Sequence, residues 1–408
     1  MKKIIVASSL LLATQAFADS AIVDSIKNGK VSGNIRVFNL LNNKKSGQQD
    51  QQAFALGGKL HAENAAIMGF NVGLTFMVAD DLNLVSKAPA RRDQKYISNT
   101  NYSGNVTALG ESYLNYNGFG FNVRTGSQEV VSPFITTSDA QIAPATVSGH
   151  AVSYTGVENL KVSAYLIDKF KGRNTSTFAP VESTFGITNK ETSGVLVGGA
   201  DYATKEMKAT AYYYGFNNIM NLMYVSGGYT MGMGEGLSIT PSLQYATEKA
   251  AGDKLAQEVG SSVMGANVNV ATGDLKVDVA YVTVKEDTSK ANNGAFYSRM
   301  TYYTDALYTN SMTHGMALSN GDLETNKVGS SYKATVNYAL NADLATKLSY
   351  AKYDYKTNSM DRSETDWDVT YKFSSIPGLS YTNRLGLVSS DTESLCQTQW
   401  RAQLQMTF

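Results

Sequence analysis

Apolar and polar residues alternate one by one through much of this chain. Over 400–408, Trp400, Ala402, Leu404, Met406 and Phe408 share one face, and Arg401, Gln403, Gln405 and Thr407 share the other. The same period sets Trp367, Val369, Tyr371 and Phe373 against Asp366, Asp368, Thr370 and Lys372. It sets Leu275, Val277, Val279 and Tyr281 against Lys276, Asp278 and Ala280, and Phe70, Val72, Leu74 and Phe76 against Asn71, Gly73 and Thr75. A period of two is that of a strand with one greasy and one polar face. It predicts strands near 31–40, 52–63, 69–79, 109–117, 119–128, 149–157, 159–169, 193–203, 206–216, 218–230, 236–248, 260–272, 274–285, 327–339, 342–355, 363–375, 378–389 and 398–408. The count is eighteen, or sixteen if one hairpin is miscounted.

The connections between these strands are of two kinds. Asn117-Gly118, Val157-Glu158-Asn159, Thr272-Gly273-Asp274, Asn341-Ala342 and Ile376-Pro377-Gly378 read as tight turns, whereas 80–108, 129–148, 170–192 and 286–326 are long and polar. Short turns at one end and long loops at the other describe an all-β fold, a transmembrane antiparallel β-barrel with short periplasmic turns and long extracellular loops. The physical cause is strict: in lipid every backbone N–H and C=O must be paired internally, and only a closed sheet leaves no edge. A barrel this wide holds an aqueous channel. Its inward faces place Arg36, Lys59, Arg124, Lys161, Lys333, Lys347, Arg384 and Arg401 along the lumen. One stretch breaks the pattern. From Phe119 to Gln128 the chain alternates as a wall strand. From Glu129 small, polar and proline residues take over, until a strand resumes near Gly149. This is read as a loop folded into the lumen, with Arg124 at its threshold.

The remaining features adjust the picture. MKKIIVASSLLLATQAFA reads as a signal peptide over 1–18, with Lys2 and Lys3, an apolar run and an Ala16-Phe17-Ala18 cleavage site. A short lead at 19–30 and a single barrel domain at 31–408 then follow. No other run is apolar for long enough to be a membrane helix. Tyr (25) and Gly (35) are abundant, while Pro (6) and Cys (1) are scarce. That suits strands and aromatic membrane girdles, and lone Cys396 excludes an internal disulfide. A formal charge of zero argues against nucleic acid. The three histidines, His61, His150 and His314, sit in no metal-binding or catalytic motif, so neither a metal, a cofactor nor a catalytic residue is expected. The glycine-rich GGYTMGMGEG runs through a strand end and a turn and makes a poor phosphate cradle.

Several segments in order resemble the OprD-type outer-membrane porins: IKNGKVSGNIR at Ile26–Arg36, LGGKLHAE at Leu56–Glu63, GESYLNY at Gly110–Tyr116, TGSQEVVSPFITTSDAQIAPATVSG at Thr125–Gly149, and AYLIDKFKGR at Ala164–Arg173. The resemblance covers the first half of the mature chain; strand pattern and the final Phe carry it beyond. It implies an 18-stranded barrel, often trimeric, whose third loop constricts the pore with help from a later loop. It also implies small hydrophilic substrates, frequently carboxylates or amino acids, guided by inward arginines. The matching loop residues are Pro133 to Pro144, so the expected constriction comprises Arg124, Glu129, Pro133, Ser138, Asp139, Gln141 and Pro144. Arg36, Lys59, Lys161, Arg299, Tyr302, Lys347 and Arg384 are expected to line the pore. The chain departs from the pattern at Gln141, where relatives often carry Arg, and at Ser127, where a basic residue is frequent. A size gate of mild polarity is therefore expected rather than a dedicated anion clamp.

The expected function is passive diffusion of small hydrophilic solutes through the bacterial outer membrane. The partners would be membrane lipids and lipopolysaccharide, the barrel-assembly machinery through Phe408, and two further copies in a homotrimer. The alternatives are a lipase-like barrel enzyme, or an adhesin or receptor whose loops carry the activity.

Overall fold

The computed structural model describes residues 18–82, 84, 96–98, 105–137, 141–285, 287–291, 306–313, 329–355 and 361–408. Eighteen strands form the wall. They are β1 (Lys30–Lys44), β2 (Asp50–Glu63), β3 (Phe70–Asp80), β4 (Val106–Gly118), β5 (Phe121–Gln128) and β6 (Thr146–Val157). Then come β7 (Leu160–Lys171), β8 (Val195–Ala203), β9 (Met207–Phe216), β10 (Met220–Tyr229), β11 (Leu237–Ala250) and β12 (Gly260–Thr272). The last six are β13 (Leu275–Val284), β14 (Gly329–Ala339), β15 (Leu344–Tyr355), β16 (Arg362–Lys372), β17 (Leu379–Ser390) and β18 (Gln397–Thr407). Each strand pairs antiparallel with its successor, and β1 pairs with β18 from Asn34↔Thr407 to Lys44↔Gln397. The sheet is therefore closed. Reciprocal backbone bonds between Gly33 and Phe408, 2.9 and 3.0 Å, finish the seam.

The closed ring inverts the usual rule of burial. The outward face carries the exposed apolar residues, among them Phe70, Val72, Leu74, Phe76, Leu243, Met264, Val279, Leu348 and Trp367. The inward face carries buried polar residues such as Arg36, Thr75, Glu111, Gln244, Glu364 and Arg401. Lipid rather than water is the solvent for the first set, so its exposure is favourable. Outward aromatics gather at one rim: Phe70 meets Tyr116 at 4.8 Å and Phe121 meets Tyr154 at 4.6 Å, both tilted, and Tyr371 meets Phe373 edge-on at 4.9 Å. That rim also carries the short turns, including 119–120, 158–159 and 273–274, and the chain's last residue. The other rim carries 81–82 and 172–194, and the described residues 129–137, 141–145, 287–291 and 306–313 belong to connections that start from it. Among the described residues no helix is long and apolar enough to cross a membrane; the strands do the crossing. One helix, α1 (Ala18–Lys27), precedes β1, and its Ser25 Oγ donates to Ala65 O in the β2–β3 turn.

The details correct some boundaries. The turn before β5 is Phe119-Gly120, not Asn117-Gly118. Both residues have positive φ, +53° and +79°, as a two-residue hairpin requires. Phe119 is thus a turn residue, 91% exposed, and not part of the strand's apolar face. The inward loop ends at 145, because Thr146 already pairs with Lys171. At its base Gly126 and Gly149 face each other, with φ of +122° and +153°. A Cβ on either would lie 2.2 or 2.0 Å from the neighbouring strand's carbonyl oxygen, at Ser112 or Leu166. Only glycine tolerates that backbone.

The candidate constriction and its charged wall

Residues 129–137 leave β5 and enter the lumen, and 141–145 lead back to β6. The segment's first residue is held twice: the Glu129 backbone N–H donates to Glu111 Oε1 at 2.8 Å, and Lys59 Nζ bonds the Glu129 carboxylate at 2.6 Å. Its apolar tip, Phe134-Ile135, then seeks the far wall. Phe134 is fully buried and meets Tyr224 and Tyr214 edge-on at 5.4 and 6.0 Å. The Phe134 backbone N–H donates to the Tyr214 hydroxyl at 3.2 Å, and Tyr165 donates to Val131 O at 3.2 Å. Ser132 closes a local turn by bonding Ile135 O at 2.9 Å. The chain returns to the near wall, where Ile142 and Ala143 pack with Phe38, Leu40 and Ala53. There the Gln141 carbonyl accepts from Arg36 Nη1. Buried Lys171 donates to Pro144 O at 3.1 Å and seals the exit.

A second segment, 306–313, also enters. Leu307 joins the apolar cluster that includes Tyr224 and Val284. Tyr308 donates to Leu243 O at 3.1 Å, and burial pushes its pKa up to about 12, so it stays a neutral hydroxyl. Tyr353 donates to Thr309 O at 2.6 Å, and Lys333 Nζ donates to Asn310 O. β16 supplies the acceptors. Glu364 takes the hydroxyls of Ser311 and Thr313 at 2.6 and 2.7 Å, and Asp366 takes the Met312 N–H at 3.0 Å. Arg401 reaches Met312 O at 3.4 Å.

Between these segments the wall from β14 to β18, continued by β1, carries paired signs. Asp368 lies 2.6 Å from Lys347 and 3.7 Å from Arg384. Arg384 sits opposite Arg401 in the β17–β18 register, and the two help line a recess with Phe38, Thr382 and Gln403. Arg36 Nε donates to Gln405 at 2.9 Å, and Arg401 Nε to Gln399 at 2.7 Å. The side-chain oxygens of β18 thus aim the guanidinium groups of two strands.

The residues expected from sequence fall into groups. Arg36, Lys59, Lys347, Arg384, Glu129 and Gln141 converge on this zone. Pro133 and Pro144 lie on the crossing segment, where the Pro144 carbonyl makes a contact and Pro133 precedes the anchor. Arg124 stacks over Tyr113 at 4.0 Å near the base of the loop. Lys161 is exposed and faces Asp201 in register, away from the constriction. Ser138, Asp139, Arg299 and Tyr302 lie outside the described residues, as does His314. Sequence reasoning missed Phe134, Tyr214, Lys171, Glu111, Glu364 and Asp366. An adjacent Phe-Ile pair in an otherwise small and polar loop was the available signal for the first. Of the other histidines, His150 bonds Thr125 at 2.7 Å, and His61 bonds Thr75 at 2.7 Å beside Glu111. Among the described residues no cluster has the makings of a metal site.

A closed membrane barrel whose polar lumen is narrowed by its own loops is a diffusion channel. A sequence profile of the outer membrane porin OprD family matches residues 119–387, and the chain belongs to that family. Solved structures share the fold. OccAB3 of Acinetobacter baumannii superposes with a TM-score of 0.76 at 15% identity, over 94% of this chain and 100% of that one. OpdQ of Pseudomonas aeruginosa gives 0.73 at 17% identity, over 95% and 99%. OpdK of Pseudomonas aeruginosa, solved with vanillate, gives 0.73 at 14% identity, over 94% and 99%. A search of curated protein sequences finds no match. The protein is an outer-membrane channel for small solutes, in contact with the lipids of the bacterial outer membrane. Its family and fold are those of porins, which are not enzymes.

Proposed function

We propose that the channel prefers small solutes bearing a carboxylate, with amino acids the best fit. The observation that carries this reading is the mixed wall: Arg36, Arg384, Arg401 and Lys347 interleave with Asp368 and Asp366 beside the crossing loop. A lumen with both signs at short range suits a solute with both signs, since each end replaces part of its lost hydration. The vanillate found with OpdK is a carboxylate as well, which supports an anionic group as the common handle. The wall's own ion pairs temper the preference, consistent with Gln141 in place of a more basic loop. Liposome swelling tests it. Glutamine and alanine should enter faster than a neutral sugar of equal mass, and a positively charged amine should enter slowest. Equal rates for all four would overturn the preference while leaving the channel intact.

The surroundings follow the same reading. Residues 1–18 direct export and are removed. Phe408, at the end of an alternating strand, addresses the chain to the barrel-assembly machinery, and Phe408→Ala should slow insertion in a pulse-chase assay. The broad apolar exterior accommodates a homotrimer in the membrane, and the long-loop rim contacts lipopolysaccharide. Cross-linking in intact membranes checks the trimer.

A further inference from the structure

Opposite the charged wall, on the periplasmic side of segment 306–313, a recess of about 410 Å³ opens into the lumen. Its lining differs in kind from the constriction. Lys208 supplies one cation, Asn269 an amide, and Thr210, Ser226 and Ser242 supply hydroxyls, with Tyr308 above. Three features set it apart as a built surface. First, the nearby carboxylates are occupied: Asp201 accepts from Thr210 and Tyr212 at 2.9 and 2.7 Å, and Asp278 accepts from the Asn269 amide nitrogen at 2.9 Å. That leaves the Asn269 oxygen to accept. Second, among the described residues no carboxylate lies within 4.0 Å of Lys208, unlike Lys59 and Lys347 in the constriction. Third, the space is kept open by glycine. A Cβ on Gly228 would lie 2.3 Å from Ser242 Oγ, so any side chain there would push into the recess.

We propose that this recess is a solute subsite for a small polyhydroxylated monocarboxylate, whose charge lies on Lys208 and whose hydroxyls lie on Ser226, Ser242 and Asn269. The chemistry points that way for a simple reason. Hydroxyls and amides both donate and accept, so they match a chain of alcohols better than an apolar body. A single unpaired ammonium matches one carboxylate. A solute leaving the constriction carboxylate-first would meet Lys208 next, and its hydroxyls could exchange water for the serine wall without net loss. The proposal rests on the channel reading above and adds a second station to it.

The test uses the purified full-length protein in planar bilayers, with gluconate and acetate as probes of equal charge. Gluconate should interrupt the potassium chloride current in a saturable way, and acetate should not. In the double variant Ser226→Ala/Ser242→Ala the half-blocking concentration of gluconate should rise about tenfold, the loss expected for two hydrogen bonds. Lys208→Met should raise it by a similar factor, less so in 1 M salt. Gly228→Val should abolish the block by filling the space; heat-modifiable electrophoretic mobility shows whether each variant is a folded barrel. A wild-type current indifferent to gluconate overturns the subsite. So does a block weakened by Lys208→Met but unchanged by the serine variant, which would leave only a charge effect. A wild-type protein that forms no channel at all fails at the earlier step and sinks the transport reading itself.

Discussion

The two sides of this lumen are built from different materials. On the side of β7 to β10, Tyr165, Tyr214, Phe216, Leu222 and Tyr224 point inward and are packed by Phe134, Ile135 and Leu307 from the two crossing segments. On the side of β14 to β18 and β1, the inward positions are Lys333, Lys347, Asp366, Asp368, Arg384, Arg401 and Arg36. The apolar side has expelled its water and serves as a buttress. The charged side stays polar and faces the lumen. A barrel wall alone would be wet all round, and it is the loops that divide it. The apolar tip of each loop comes to rest on the aromatic stretch of wall, the returning Ile142 and Ala143 rest on a second apolar patch of β1 to β4, and charges line the lumen between them.

Each side can be perturbed separately. Deleting 134–143 removes the buttressed plug without touching the wall. Single-channel conductance should rise by a factor of roughly two or more, because the narrowest point sets the current. An unchanged conductance would mean the loop does not set the width. Phe134→Ala is the milder form of the same attack. Losing a fully buried phenylalanine costs about 3–5 kcal/mol, here taken from the loop's anchorage, and the expected readout is a noisier open state with faster proteolysis of the loop.

On the charged side the effects should be smaller and should act on selectivity rather than size. Arg401→Ala removes a cation that also holds Met312 O, and the anion-to-cation permeability ratio should fall roughly twofold at low salt. Reversal potentials measured at 0.1 and 1 M salt check it, since screening should erase most of the change. Asp368→Asn should act in the opposite direction, raising the ratio by freeing Lys347 and Arg384 from their shared partner. A fall instead would mean that Asp368 matters by positioning the cations. The smallest shift is expected for Arg124→Ala. That guanidinium stacks on Tyr113 at the base of the loop, so an unaltered reversal potential would assign it a purely structural part.

The alternation made the wall legible strand by strand. Trp400, Leu404 and Met406 against Arg401, Gln403 and Gln405 told which face met lipid, because a strand has only two faces and a membrane tolerates only one kind on the outside. Arg36, Lys347 and Arg384 were expected on the inward face on that ground alone. The Phe119-Gly120 turn was misplaced by two residues, because Asn117-Gly118 carries the commoner turn chemistry while the positive-φ pair sits at Phe119-Gly120. The crossing loop was recognised as a break in the pattern, but its contacts were not. Nothing local joins Phe134 to Tyr214, or Gln141 to Arg36.

What the sequence by itself determined is therefore which face of each strand meets lipid and which meets the lumen. Lipid or lumen is a one-dimensional choice, written residue by residue in a period of two. What only the tertiary structure decided is where the loops come to rest: Glu129 on Lys59, Phe134 between Tyr214 and Tyr224, Met312 held by Asp366 and Arg401. These contacts join residues far apart in the chain. They depend on closure of the ring, which brings strands from both ends of the sequence around a single lumen. Until the ring closes, the loop has no far wall to reach.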